Sequence, residues 1–147
     1  MEQQMDVKGL KVLLVDDDDD VREFLVMALE GNGIDVEQAI DAEQAVELLK
    51  KHPFDAVTTD KNLPGMDGIA LIAHIRAHYG DLPVVLITGQ GTVRSAVHAF
   101  KLGAQDYLLK PLESEEELIH AIWKAVRNRR LESENRSLQE ELERSKR

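Results

Sequence analysis

The chain has no cysteine, only four prolines, and six aromatic side chains in 147 residues. Without cysteine there is no disulfide framework and no thiolate metal site, and the composition suits a reducing compartment, so a cytoplasmic location is expected. No apolar run approaches the roughly 20 residues of a membrane-spanning helix, so no membrane association is expected. The opening MEQQMDVKGL lacks the charged-then-apolar layout of a secretory signal. Positive charge is also scarce: 18 Lys+Arg stand against 28 Asp+Glu, a net charge of −10. That balance argues against direct binding of a nucleic-acid backbone by this segment.

What is present is a globular composition, 43% hydrophobic and 31% charged. The acidity is uneven. Residues 1–112 carry 10 basic and 19 acidic side chains, whereas residues 113–147 carry 8 and 9. Five of the acids are consecutive, Asp16 to Asp20.

Up to about residue 112, short apolar runs alternate with helix-periodic stretches. The runs VLLV (12–15), IDVEQA (34–39), FDAVTT (54–59), PVVLIT (83–88) and YLLK (107–110) predict strands, several without the polar alternation of a one-sided sheet. Between them, Val21, Phe24, Leu25, Ala28 and Leu29 follow helical spacing, as do Ala42, Ala45, Val46, Leu48 and Leu49, with Asp41 placed to cap. Ile69, Leu71, Ile72 and Ile75 mark a third helix, and Val93, Ala96, Val97 and Phe100 a fourth. Gly31, Gly33, Gly80 and Gly103 stand where these helices should stop. This alternation predicts a doubly wound α/β fold, a parallel sheet with helices on both faces.

From residue 113 the pattern changes. Ile119, Ile122, Trp123 and Val126 form a stripe that can pack on the sheet. Beyond it Leu131, Asn135, Leu138 and Leu142 recur at heptad spacing, with Asn135 in an a-type position when Leu131 and Leu138 are d. With no Pro or Gly after position 112, one helix of about 50 Å is expected over 113–145. A solvated helix is the plainer reading of so short a seam; a dimerising coiled coil is the sharper one, and Asn135 would favour parallel, in-register pairing.

In an open parallel sheet, ligands bind at the carboxyl ends of the strands. Here those ends carry Asp16 and Asp17, Asp60, Thr88, and Lys110 followed by Pro111. Three carboxylates, a hydroxyl and an ammonium therefore converge on one edge. Clustered carboxylates repel unless a cation intervenes. Oxygen donors without His or Cys suit a hard ion such as Mg²⁺, which takes few carboxylates together with water and phosphate. Lys110 and Thr88 can serve phosphoryl oxygens, and a carboxylate can act as nucleophile to give an aspartyl-phosphate. The plainer alternative is a Lys–Asp ion pair beside acids that only solubilise the edge.

The segments VLLVDDDDDVRE, DAVTTDKNLPGMDG, VVLITGQG and GAQDYLLKPL resemble the successive motifs of bacterial response-regulator receiver domains, over residues 8–126. The resemblance implies a flavodoxin-like fold with five βα units and strand order 2-1-3-4-5. It implies that Asp60 is the phosphoacceptor and that Asp17 and Asp60 ligate Mg²⁺ directly. Asn62 would add its backbone carbonyl, and Asp16 would act mainly through water. Lys110 would contact the phosphoryl group, and Pro111 would follow a cis bond. Thr88 and Tyr107 would form the switch pair, with Gly89 leaving access to the phosphoryl group. Of the remaining acids, Asp18 would lie on the loop over the site, Asp19 where many relatives carry Pro, and Asp20 at the opening of the first helix.

The resemblance implies a sensor histidine kinase or phosphotransfer protein as donor, with self-phosphotransfer and slow autodephosphorylation rather than enzymatic turnover. The stretch GQGTVRSAVHAFKLGAQDYLLKP is similar to receivers of nitrogen-regulatory enhancer-binding activators, which implies a transcriptional output. RNRRLESENRSLQEEL resembles the start of their linker, so residues 127–147 are expected to be a helical linker. A homodimer is expected through that helix, through the face of the fourth helix, fifth strand and fifth helix, or through both. No Walker A, helix-turn-helix or kinase motif occurs within these 147 residues, so the output is expected elsewhere in a longer chain or in a partner.

Two rival readings start from the same residues. The run Asp16 to Asp20 contains the D-x-D of Asp-nucleophile phosphohydrolases, but the length leaves no room for a cap domain. A purely structural dimeriser with an inert receiver-like domain would need a broken acidic site, and none of the key positions is broken. Other features read as ordinary surface or core. His74 and His78 at i, i+4 lack a third ligand, and Trp123 belongs with the core stripe. Arg127, Arg129 and Arg130 form a basic patch expected to lie solvated among glutamates. LPGMDG lacks the GK[ST] ending of a P-loop.

Overall fold

The computed structural model describes residues 6–145. Strands β1 (Lys11–Val15), β2 (Asp35–Ala39), β3 (Ala56–Thr59), β4 (Val84–Thr88) and β5 (Asp106–Leu109) alternate with helices α1 (Asp19–Gly31), α2 (Ala42–Lys51), α3 (Gly68–Tyr79), α4 (Val93–Lys101) and α5 (Glu115–Ser145). All pairings are parallel, in the order β2-β1-β3-β4-β5, the expected flavodoxin-like arrangement.

The period-two alternation of a strand divides the apolar runs between two cores. Val12, Leu14, Val85, Ile87 and Leu108 pack with Leu25 and Leu29 of α1 and with Leu118, Ile119 and Ile122 of α5. Leu13, Val15, Val57, Val84 and Leu86 pack with Ala45 and Leu49 of α2, with Leu71, Ile72 and Ile75 of α3, and with Ala99 of α4. Strands β1, β3 and β4 are thus buried on both faces, which explains their unbroken hydrophobicity. At the sheet edge, β2 keeps Glu37 and Gln38 instead.

Helix starts follow side-chain capping. Asp41 accepts from the Gln44 N–H, Asp67 from that of Ala70, and Thr92 forms a capping box with Ser95. Helix α1 differs from expectation. Asp18 caps it by accepting from the N–H groups of Asp20 and Val21, while Asp19 and Asp20 form its acidic first turn. Helix α1 runs through Gly31 and is capped by Asn32, and Gly33 takes the left-handed conformation at φ 82°. Helix α5 continues unbroken for 31 residues, about 46 Å. It starts two residues later than expected. Among the described residues no helix is long and apolar enough to cross a membrane.

Candidate functional site

The sheet register delivers the reactive residues to one place. Val15 pairs with Thr59, so Asp16 and Asp60 each stand one residue beyond the end of the β1–β3 ladder. The Asp60 N–H donates to the Val15 carbonyl at 3.0 Å, and the Asp16 N–H to that of Ala39 at 3.1 Å. On the other side Thr88 pairs with Leu109, and the Lys110 N–H donates to the Thr88 carbonyl at 2.9 Å. Neighbouring parallel strands thus present Asp16, Asp60, Thr88 and Lys110 at a common edge.

There the Lys110 Nζ lies 2.7 Å from Asp16 Oδ2 and 2.7 Å from Asp60 Oδ2. Asp16 is 1% exposed and Asp60 8%, whereas Asp17 faces solvent. Carboxylate oxygens of Asp16, Asp17 and Asp60 lie within 4.8 Å of one another. Burial pushes the Asp16 carboxyl above its ordinary range, outweighing the hydrogen bonds from Lys110 and the Asp18 N–H. Burial works to lower the Lys110 ammonium, but the hydrogen bonds and charges of Asp16 and Asp60 prevail and raise it. One ammonium against three acids leaves excess negative charge. An all-oxygen donor set with that excess fits a hard divalent cation, and of the three carboxylates Asp17 is the one that faces solvent. The peptide bond between Lys110 and Pro111 is cis.

The remaining sequence-derived residues are placed as follows. The Asn62 N–H donates to Asp60 Oδ1 at 3.0 Å, orienting that carboxylate. Thr88 is fully buried at the end of β4, and its hydroxyl accepts from the Gln90 N–H at 3.2 Å. Tyr107 is half-buried, its hydroxyl 2.8 Å from Ser95 Oγ on α4. Gly89 leaves open space toward Lys110, whose Cβ would lie 3.9 Å from an added Cβ. His74 and His78 stack at 4.2 Å on α3 and are not among the groups gathered with Asp16, Asp17 and Asp60, and burial followed by the His78 and Lys50 charges lowers the His74 imidazole.

Several supporting residues escaped the sequence reading. Arg22 of α1 donates to the Asp16 carbonyl at 2.9 Å, to Gln38 Oε1 at 3.1 Å and to Asp19 at 2.6 Å, tying the acidic loop to β2 and α1. The Thr59 hydroxyl donates to the Asp60 carbonyl at 3.0 Å. At Gly68 an added Cβ would fall 2.0 Å from that same carbonyl, so α3 can start against the Asp60 loop only with glycine. Gly91 leaves room for Tyr107 in the same way, since a Cβ there would meet its hydroxyl at 2.7 Å. A glycine eight residues after Asp60 was a visible signal; the Arg22 contact had none. Arg129, expected to lie solvated, pairs instead with Asp81 at 3.1 Å, and Arg127 lies 5.0 Å from the centre of the Trp123 ring.

The parallel fold, the strand-end carboxylates and the bridging lysine together define a receiver-type module. The response regulator receiver domain family matches residues 12–123, and the chain belongs to it. It is 39% identical over 132 residues to the C4-dicarboxylate transport transcriptional regulatory protein DctD of Rhizobium meliloti, covering 90% of this chain and 28% of that protein. It is 45% identical over 104 residues to the response regulator protein FleR of Pseudomonas aeruginosa, covering 71% and 22% respectively. The chain therefore spans about a quarter of the length of these relatives. The crystal structure of NtrX from Brucella abortus superposes with a TM-score of 0.83 at 32% identity, over 88% of this chain and 30% of that one.

Proposed function

We propose that residues 8–126 form a receiver that accepts a phosphoryl group on Asp60 from the phosphohistidine of a cytoplasmic sensor histidine kinase or phosphotransfer protein. The observation that carries this reading is the Lys110 ammonium, 2.7 Å from both Asp16 and Asp60 in a cluster of three carboxylates. An Asp60 carboxylate oxygen attacks phosphorus; the P–N bond to the donor imidazole breaks, and the imidazole leaves with the bond's electron pair. Asp17 and Asp60 would hold Mg²⁺ with the Asn62 carbonyl, and Asp16 would hold it through water. Bound there, the ion neutralises phosphoryl oxygens against the surrounding acids.

The residues of the chain supply the rest. The Asn62 N–H holds one Asp60 oxygen and leaves the other to Lys110. Lys110 then follows the charge onto a phosphoryl oxygen, and the Thr88 hydroxyl, which accepts from the Gln90 N–H, turns its own proton to donate to another. Tyr107 moves with Thr88, reshaping the face of α4, β5 and α5, where Val93, Val97, Phe100 and Leu109 are exposed. The modification biases a two-state equilibrium of that face. Hydrolysis resets it slowly, so the protein is a signalling element rather than a turnover enzyme. The likeness to DctD and FleR supports a transcriptional output, with residues 127–147 as a helical linker that pairs two copies in parallel through Leu131, Asn135, Leu138 and Leu142; Arg147 and Lys146 lie outside the described residues.

The test is incubation with Mg²⁺ and a small phosphoramidate donor, followed by intact-mass measurement. One labile phosphoryl addition is expected for wild type and none for Asp60→Asn. Equal labelling of both would overturn the assignment.

A further inference from the structure

We infer that Asp81 extends the receiver's grip on α5 beyond the core-packed Ile122 and Val126, holding the extension in the direction in which its leucine seam faces a second copy of the chain rather than its own receiver. This rests on the reading of the tail as a pairing helix and adds the residue that aims it. Asp81 lies between α3 and β4, and its two carboxylate oxygens are divided between two arginines of α5. Arg129 Nε lies 3.1 Å from Oδ1, and Arg136 Nη2 lies 3.1 Å from Oδ2. Burial works to raise the Asp81 carboxyl, but the Arg129 charge and the hydrogen bonds from both arginines hold it below the ordinary range.

The spacing of the two arginines carries the argument. They are seven residues apart, hence on nearly one line of the helix. When Leu131 and Leu138 are d and Asn135 and Leu142 are a, Arg129 and Arg136 are both b. At about 100° per residue, b lies about 100° from a and about 160° from d. The receiver thus grips α5 from the side away from the seam. Leu131, Leu138 and Leu142 are accordingly 50%, 64% and 58% exposed, although they are the large apolar residues of the extension. Had Asp81 met an a or d position, the domain would cover the surface that pairing requires. With Asn135 selecting a parallel partner, two receivers held at b sit on opposite outer sides of one seam, at the same end, without collision.

Two charged pairs at the surface contribute little to stability, so the expected effect is on direction rather than on folding. The natural absence of cysteine allows two spin labels per chain, introduced by Glu30→Cys on α1 and Glu140→Cys on the outer face of α5. Measured in the full chain diluted with unlabelled protein, the intrachain distance is expected to be narrow. In Asp81→Asn the narrow peak is expected to be lost, with helix content unchanged. Asp81→Arg combined with Arg129→Asp and Arg136→Asp is expected to restore it. An unchanged narrow peak in Asp81→Asn, or no restoration by the charge exchange, overturns the inference.

Sedimentation tests the underlying reading separately. A wild-type dimer that persists in Asp81→Asn, with broadened distances between receivers, supports both. A wild-type monomer that is unaffected by Leu138→Ser at high concentration overturns the pairing helix and the partner assigned here. The intrachain distances still report whether Asp81 holds the helix.

Discussion

The Tyr107 hydroxyl lies 2.8 Å from Ser95 Oγ, joining the ring at the middle of β5 to the first turn of α4. Ser95 is also half of the capping box with Thr92: its N–H donates to Thr92 Oγ1 and its hydroxyl accepts from the Thr92 N–H, each at 3.0 Å. The start of α4 and the position of Tyr107 are therefore set together. Ser95→Ala is expected to lower the unfolding free energy by about 1 kcal/mol and to release the ring. Gly91→Ala, which places a Cβ 2.6 Å from Leu109 Cδ2 and 2.7 Å from the Tyr107 hydroxyl, is expected to shift both side-chain ends, and the ring with them, at a cost of about 1 kcal/mol. Denaturant unfolding and the Tyr107 ring resonances check both.

Lys110 is the one cation within hydrogen-bond reach of the Asp16 and Asp60 carboxylates among the described residues. Lys110→Met removes it and leaves two largely buried carboxylates uncompensated, an arrangement that costs about 3–5 kcal/mol in comparable buried pairs. Lower stability without divalent cation, partly recovered on adding Mg²⁺, is expected in chemical denaturation. Unchanged stability would show that the ion pair is not what balances the site. For the pair itself, the raised Lys110 ammonium contributes stability that is complete below its ordinary value of 10.5 and disappears as pH rises through the higher folded value.

Asp16 behaves in the opposite sense. Its folded carboxyl is raised above the ordinary 3.8, chiefly by burial. The folded state therefore holds that proton more tightly than the open chain does. The contribution of Asp16 worsens as pH climbs from 3.8 through the raised value, and is fully unfavourable above it. Asp16→Asn is accordingly expected to keep or increase stability at neutral pH in the absence of metal. A loss of more than about 1 kcal/mol would indicate that the bond to Lys110 outweighs the burial of the charge.

A divalent cation that binds only the folded site raises stability by mass action, about 2.7 kcal/mol at one hundred times its dissociation constant. For a domain of this size that is a rise in Tm of roughly 5–10 °C. Mg²⁺ is expected to produce it in wild type and to lose most of the effect in Asp17→Ala, where the exposed carboxylate is gone. Calorimetry with and without chelator makes the comparison.

Gly68→Ala would place a Cβ 2.0 Å from the Asp60 carbonyl oxygen. The backbone has no flexible side chain to yield there, so α3 must shift away from the Asp60 loop. A loss of more than about 3 kcal/mol is expected, with reduced phosphoryl labelling in whatever fraction remains folded.

The readable part of this molecule was local or periodic. Val12 to Val15 and Val84 to Ile87 carried the unbroken apolarity of two-sided strands, and Asp41 sat one residue before a helical stripe. The strand ends followed from these, and with them the convergence of Asp16, Asp60, Thr88 and Lys110. The acidic run was sorted less well: the cap of α1 is Asp18, because its oxygen reaches the N–H groups of Asp20 and Val21. Five identical residues offer no pattern to choose among, and backbone geometry makes the choice.

Periodicity and strand-end chemistry in the sequence were enough to determine the alternating elements, the parallel sheet and the edge on which the carboxylates gather. Tertiary structure alone decided that Arg22 holds the Asp16 carbonyl, that Gly68 brings α3 against Asp60, and that Asp81 pairs with both Arg129 and Arg136. The reason is distance along the chain. A helix or strand declares itself within a few residues through repeated burial, whereas contacts spanning 48 and 55 positions depend on how separate elements cross, and a single arginine on a helix carries no mark of the partner it will meet.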